Sequence, residues 1–126
     1  MPNEPRLLLI ISAVVELGAG LFLVLLPELA VGQMFPGIEG GPAALLAGRT
    51  AGTALVSLGV LSWVARNQVG AAVKPVLLAL LAYNVLAVAN FGYLAATTVP
   101  ASIAPTVLHL ALSAGFAFYV RKVSDA

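Results

Sequence analysis

A chain of 126 residues that is 61% hydrophobic and only 9% charged lacks the polar surface of a soluble domain, where about a quarter of residues are charged. A formal charge of +1, thinly dispersed, excludes the basic face of a nucleic-acid-binding protein. The absence of cysteine excludes disulfides, thiolate metal centres and thiol catalysis.

The length allows a single domain, 1–126, and no linker or low-complexity tract divides it. Four segments are apolar over the roughly 20 residues that a helix needs to cross a bilayer core of about 30 Å. The first runs from Leu7 to Leu26 and is stopped by Pro27. It is longer than the apolar run of a signal peptide, and no small-x-small site follows it, so it is expected to remain as a span. The second covers 43–65 and ends at Arg66-Asn67-Gln68. Pro75, a natural first-turn residue, opens the third over 75–97. The fourth covers 101–120 and closes on Arg121-Lys122. Strands of a membrane barrel would be about 9–11 residues long with alternating polarity, and none of the four has that pattern. The expected fold is all-α, an integral membrane antiparallel four-helix bundle.

Orientation follows from the basic residues. Arg6 precedes the first span, Arg66 and Lys74 flank the second loop, and Arg121 and Lys122 follow the fourth span. The opposite side carries only Glu28 and Glu39, in the loop from Pro27 to Pro42. Both termini are therefore expected on the cytoplasmic side. Trp63 and Tyr119 fall near that interface, where aromatic belts sit. A short likeness links Ser57-Leu58-Gly59 and Trp63-Val64 to Ser113-Ala114-Gly115 and Tyr119-Val120 at identical spacing. Duplication of a two-helix unit and small-residue packing both account for it.

Ionisable groups inside a span cost about 2.5–3.5 kcal/mol on insertion scales, so each calls for a reason. At about 1.5 Å per residue, Glu16 lies near the middle of the first span and Arg49 about a turn and a half into the second. Asn84 lies near the middle of the third, with Asn90 in its outer half, and His109 lies about two turns into the fourth. Helical phase gives every span one polar or small stripe: Ser12, Glu16 and Gly20; Arg49 and Thr53; Tyr83, Ala87 and Asn90; Ser102, Thr106, His109 and Ser113. Lipid solvates none of these, so the four stripes are expected to converge inside the bundle, in its middle and outer half.

Glu16 and Arg49 admit two roles, an ion pair locking the first two helices or a titrating carboxylate beside a charge-holding or anion-binding arginine. His109, the only histidine, suits hydrogen bonding to Asn90 or Tyr83, or acid–base chemistry near neutral pH. A metal is not expected, because one His, one Glu and two amides lack a second strong nitrogen ligand. Haem with two histidine ligands would need a histidine from another protomer. Gly48 and Gly52 form a GxxxG step suited to close packing, or to a homo-oligomer or partner membrane protein. No P-loop, GxGxxG, HExxH or GxSxG motif is present.

A Pro-Glu step ending the first span, Phe35-Pro36-Gly37, Gly48-Arg49-Thr50-Ala51-Gly52 and Leu61-Ser62-Trp63-Val64-Ala65-Arg66 together resemble small bacterial four-span proteins of the DoxX-like superfamily. Tyr83-Asn84, and His109 ahead of an aromatic end, extend the resemblance over nearly the whole chain. It implies a four-helix fold in the bacterial inner membrane and directs attention to Glu16, Arg49, Asn84 and His109. Some members are linked to quinone-coupled oxidation or to assembly of other membrane proteins. Small multidrug transporters also carry a glutamate in the first of four spans, but the intramembrane Arg49 and the charge bias depart from them.

The function expected first is binding of a small hydrophobic ligand, such as a quinone or isoprenoid lipid, at a polar site open toward the outer leaflet. Glu16 and His109 are the candidate acid–base groups, and Arg49, Tyr83, Asn84 and Asn90 the candidate ligand-binding groups. The sequence assigns no cofactor, and a quinone is one that would suit such a site. A non-catalytic assembly subunit and a proton-coupled exporter working through Glu16 are the alternatives.

Overall fold

The structure is a computed structural model and describes residues 5–34 and 40–124. Five α-helices occupy nearly all of that length, and no strand occurs among the described residues. They are α1 (Arg6–Leu25), α2 (Pro27–Met34), α3 (Pro42–Ala65), α4 (Lys74–Thr97) and α5 (Ile103–Ser124), with 3-10 turns at Gly70–Ala72 and Pro100–Ser102. Four stretches are long and apolar enough to cross a membrane: Arg6–Leu25, Pro42–Ala65, Gly70–Thr97 and Pro100–Val123. These match the four segments expected from hydropathy to within a few residues. Phe35-Pro36-Gly37 and Glu39 lie outside the described residues.

Proline sets several of the boundaries. Leu26 precedes Pro27 and is driven out of helical conformation, with φ −130° and ψ 56°, which ends α1. Pro42 opens α3 behind an extended Gly41, and a proline sits in the first turn of α4 as well. The span from Pro27 to Pro42, expected as a loop, instead begins with the two-turn helix α2. Its Pro-Glu start is itself a helix-opening signal, with proline at the first position and a carboxylate near the positive end of the dipole.

α1 packs chiefly on α3, and α4 on α5. Between α1 and α3 the backbones nearly touch: a Cβ on Gly20 would lie 2.8 Å from the Gly52 carbonyl oxygen and 2.7 Å from the Val56 nitrogen. One turn further along α3, Gly59 seats Leu17, whose Cγ would lie 2.6 Å from an added Cβ. The Gly48/Gly52 step is thus taken up inside the chain: Gly52 is buried against α1, and Gly48 faces Val31 of α2 and Leu23 of α1.

The two helix pairs join around one apolar cluster that includes Leu9, Ala65, Val73, Leu77, Leu112 and Phe116. The start of α1, the end of α3, the start of α4 and the end of α5 therefore share one end of the molecule. At that end the Arg66 guanidinium lies 3.8 Å over the Trp63 ring, and the Lys122 ammonium 5.8 Å over Phe118. The outward surface is apolar: Leu7, Val14, Leu25, Leu46, Leu86 and Val107 are all more than half exposed. Inside-out burial of this kind suits a lipid surround and would be unstable in water.

Candidate functional site

Glu16, Asn84 and His109 are buried at 1%, 0% and 6% relative exposure, and they come from three helices. α1 turns its stripe of Ser12, Glu16 and Gly20 inward, and all three are buried. Asn84 sits one turn beyond Leu80 on the inner face of α4, and its amide nitrogen donates to the Leu80 carbonyl at 2.8 Å. Its oxygen then lies 2.7 Å from Nδ1 of His109 on α5. Asn84 is thereby satisfied on both sides, and His109 is fixed in rotation.

Two aromatic rings from α4 complete the setting of His109. Phe91 stacks on it at 5.6 Å between centroids with planes 8° apart, and Tyr83 meets it edge-on at 5.6 Å and 85°. Tyr83 also lies beside the Glu16 carboxylate. Tyr83 is thus the link between Glu16 on one side and the His109–Asn84 pair on the other. The Oε1 atom of Glu16, and the hydroxyls of Ser12, Ser102 and Ser113, have no hydrogen-bond partner among the described residues.

Beside this cluster, between α3 and α4, runs a groove of about 660 Å³. Its walls are apolar and include Leu23 of α1, Val31 of α2, Ala51 and Leu55 of α3, and Leu86 and Phe91 of α4. Tyr83 and Asn90 are the polar residues along it. They are seven residues apart on α4, close to two full turns, so both project to the same side about 10 Å from each other. Three walls of the groove come from helices that meet closely elsewhere. α3 and α4 themselves make little contact, and that leaves the opening.

The stripes on α1 and α5 turn inward as expected; on α4 Ala87 is buried and Tyr83 half-buried while Asn90 is exposed, and the stripe on α3 does not turn inward. Arg49 and Thr53 are exposed. The hydroxyls of this surface are satisfied by their own helix, Thr50 on the Leu46 carbonyl, Thr53 on Thr50 and Ser57 on Thr53, at 2.8–2.9 Å. No interior partner is needed. Glu16 is buried and Arg49 faces outward, so the two form no ion pair. Asn90 is exposed toward the groove and does not meet His109, whose partner is Asn84. Phe91 went unnoticed in the sequence, although it lies seven residues beyond Asn84 and so on the same helical face.

No protein-family model, no curated protein and no solved structure matches the chain.

Proposed function

We propose that the chain spans the cytoplasmic membrane of a bacterium as an antiparallel four-helix bundle with both ends inside. On this reading the groove between α3 and α4 binds a small hydrophobic ligand of the quinone or isoprenoid-lipid kind from the outer half of the bilayer. Four helices of spanning length, an apolar outer surface and the grouping of Arg66, Lys74 and Lys122 at one end support the topology.

The observation that carries the binding reading is the groove itself: an apolar channel whose inner part meets Tyr83, which lies beside a buried carboxyl group. Its volume lies within the range of about 300–1,000 Å³ usual for small-molecule sites. Such sites combine apolar walls with a few placed polar groups, as here. Packing alone gives no reason to bury Glu16 in the bundle, because an apolar residue of the same size would fill the space at no desolvation cost. In this reading Glu16, Asn84 and His109 are positioning residues: they fix Tyr83 and the wall beside it, and Tyr83 and Asn90 touch the ligand.

The test is native mass spectrometry of the protein released from mild detergent, beside an Ala54→Trp variant. Ala54 lines the groove and is exposed, so tryptophan there fills the channel without disturbing the core. The wild type is expected to retain an apolar small molecule that the variant lacks. A wild type that carries none, or a variant that carries the same molecule, overturns the reading.

A further inference from the structure

We infer that the end of α5 holds an anionic phospholipid from the leaflet at the basic end of the bundle, with its phosphate against Arg121, Lys122 beside it, and one acyl chain over Ala114 and Ala117. This rests on the membrane reading above but not on the groove between α3 and α4, with which the site shares no residue.

A concavity of about 590 Å³ lies along α5, lined by Ala114, Ala117, Phe118, Arg121 and Lys122. These positions follow one another at i, i+3, i+4, i+7 and i+8, so they share one face of the helix over about 12 Å. Ala114, Phe118 and Arg121 are exposed, so no other helix of the chain covers that face. Its chemistry is graded along the axis. The part nearer the middle of the bundle is apolar, two alanines beside a phenyl ring. The basic residues are confined to the last turn of α5, at the end of the molecule. An amphiphile with an anionic head, lying along the helix with its chain pointing inward, has the same order of parts.

Charge complementarity selects the occupant. A lipid without net charge gains from the apolar floor alone, whereas a phosphate also meets the paired N–H donors of a guanidinium and the point charge of an ammonium. Arg121 is exposed and makes no hydrogen bond or ion pair with a described residue. Lys122 lies 5.8 Å over the Phe118 ring, which holds its charge beside the apolar wall. The C-terminal end of α5 carries about half a negative charge, and two full cations outweigh it. Arg66, at the same end of the molecule, is engaged with the ring and the carbonyl of Trp63. Attraction of an anionic lipid is worth about fivefold in affinity for each basic residue near the membrane surface, so the pair gives about 25-fold.

The experiment titrates the full chain in neutral detergent and reads binding by native mass spectrometry. Its probes are palmitoyl-oleoyl phosphatidylglycerol, phosphatidylcholine with the same chains, and glycerol 3-phosphate. The wild type is expected to bind phosphatidylglycerol about 25-fold tighter than phosphatidylcholine. Glycerol 3-phosphate has the charge without the chain and should bind more weakly than either lipid. Arg121→Gln, at an exposed side chain, should lower the preference about fivefold, and Arg121→Gln/Lys122→Gln should abolish it. Arg6→Gln/Lys74→Gln removes the same charge from the same end and should leave the preference in place. Ala114→Trp fills the exposed floor without altering charge and should weaken both lipids. Equal binding of the two lipids to the wild type overturns the inference. So does an equal loss in the two double variants, which would mark a diffuse field in place of a site. Glycerol 3-phosphate binding as tightly as the lipid, or lipid binding untouched by Ala114→Trp, overturns it as well. Ala54→Trp fills the groove and should bind phosphatidylglycerol as the wild type does; a loss there would put the lipid in the groove and overturn this site. Failure of the α5 site leaves the groove reading standing. A chain that stays dispersed in water without detergent removes the membrane reading, and this inference with it.

Discussion

At the scale of single residues, the helical phase of α4 separates two tasks. Tyr83 and Asn90 look into the groove, while Asn84, one position on from Tyr83, turns toward α5 and bonds His109. Removing one partner of that buried bond should cost more than removing both. His109→Leu is expected to destabilise the protein by about 1–3 kcal/mol through the orphaned Asn84 oxygen. In Asn84→Leu/His109→Leu the loss should be smaller than the sum of the single losses, a coupling that thermal unfolding in detergent would read. The burial of Glu16, Asn84 and His109 was legible in the sequence, because polar groups in an apolar helix are turned toward the interior. The outward turn of Arg49 was not. It lies seven residues from the start of α3, about 10 Å along the axis. At that depth a long side chain can reach past the apolar layer with its head in a polar one, so inward burial was not compulsory.

At the scale of elements, glycine decides which helices pair. A Cβ at Gly52 would lie 2.8 Å from the Gly20 carbonyl oxygen and 2.9 Å from the Leu23 Cβ, and neither a backbone oxygen nor a Cβ can swing away. Gly52→Ala should therefore push α1 from α3 and cost about 1–3 kcal/mol. Gly18→Ala, where an added Cβ meets nothing within 4 Å, should be neutral or slightly stabilising through helix propensity. Thermal melts of the two variants in one detergent make the comparison. The same contacts account for the likeness between the segments at Gly59 and Gly115. Both glycines seat leucines of α1, Leu17 and Leu8, so the packing requirement is shared. The positions of the four long apolar helices could be read from hydropathy, and the structure keeps all four. The helix α2 escaped because its eight residues are too short for periodicity to register, although Ala30 and Val31 bury one side of it.

For the whole molecule, the absence of cysteine makes the proposed topology directly measurable. Gln33 on α2 and Gln68 after α3 are both exposed and lie at opposite ends of α3. In intact cells an impermeant maleimide should label Gln33→Cys and spare Gln68→Cys until the membrane is opened. The reverse pattern would invert the bundle and place the groove in the inner leaflet. The organisation into two helix pairs was only hinted at by sequence, because hydropathy reports how long a span is and not which neighbour it prefers. That organisation also bears on how the protein is made. Helices α1 and α3 leave the ribosome first and hold their own glycine contact, yet Glu16 is not enclosed until α4, with Tyr83 beside it, arrives. On the proposed topology, the nascent hairpin exposes that side chain to hydrocarbon for the interval, at a cost of about 2.5–3.5 kcal/mol. A ribosome stalled before α4 would therefore leave a fragment marked for quality-control proteases. On that topology the buried Glu16 thus also reports, during synthesis, whether the second half of the chain has been delivered.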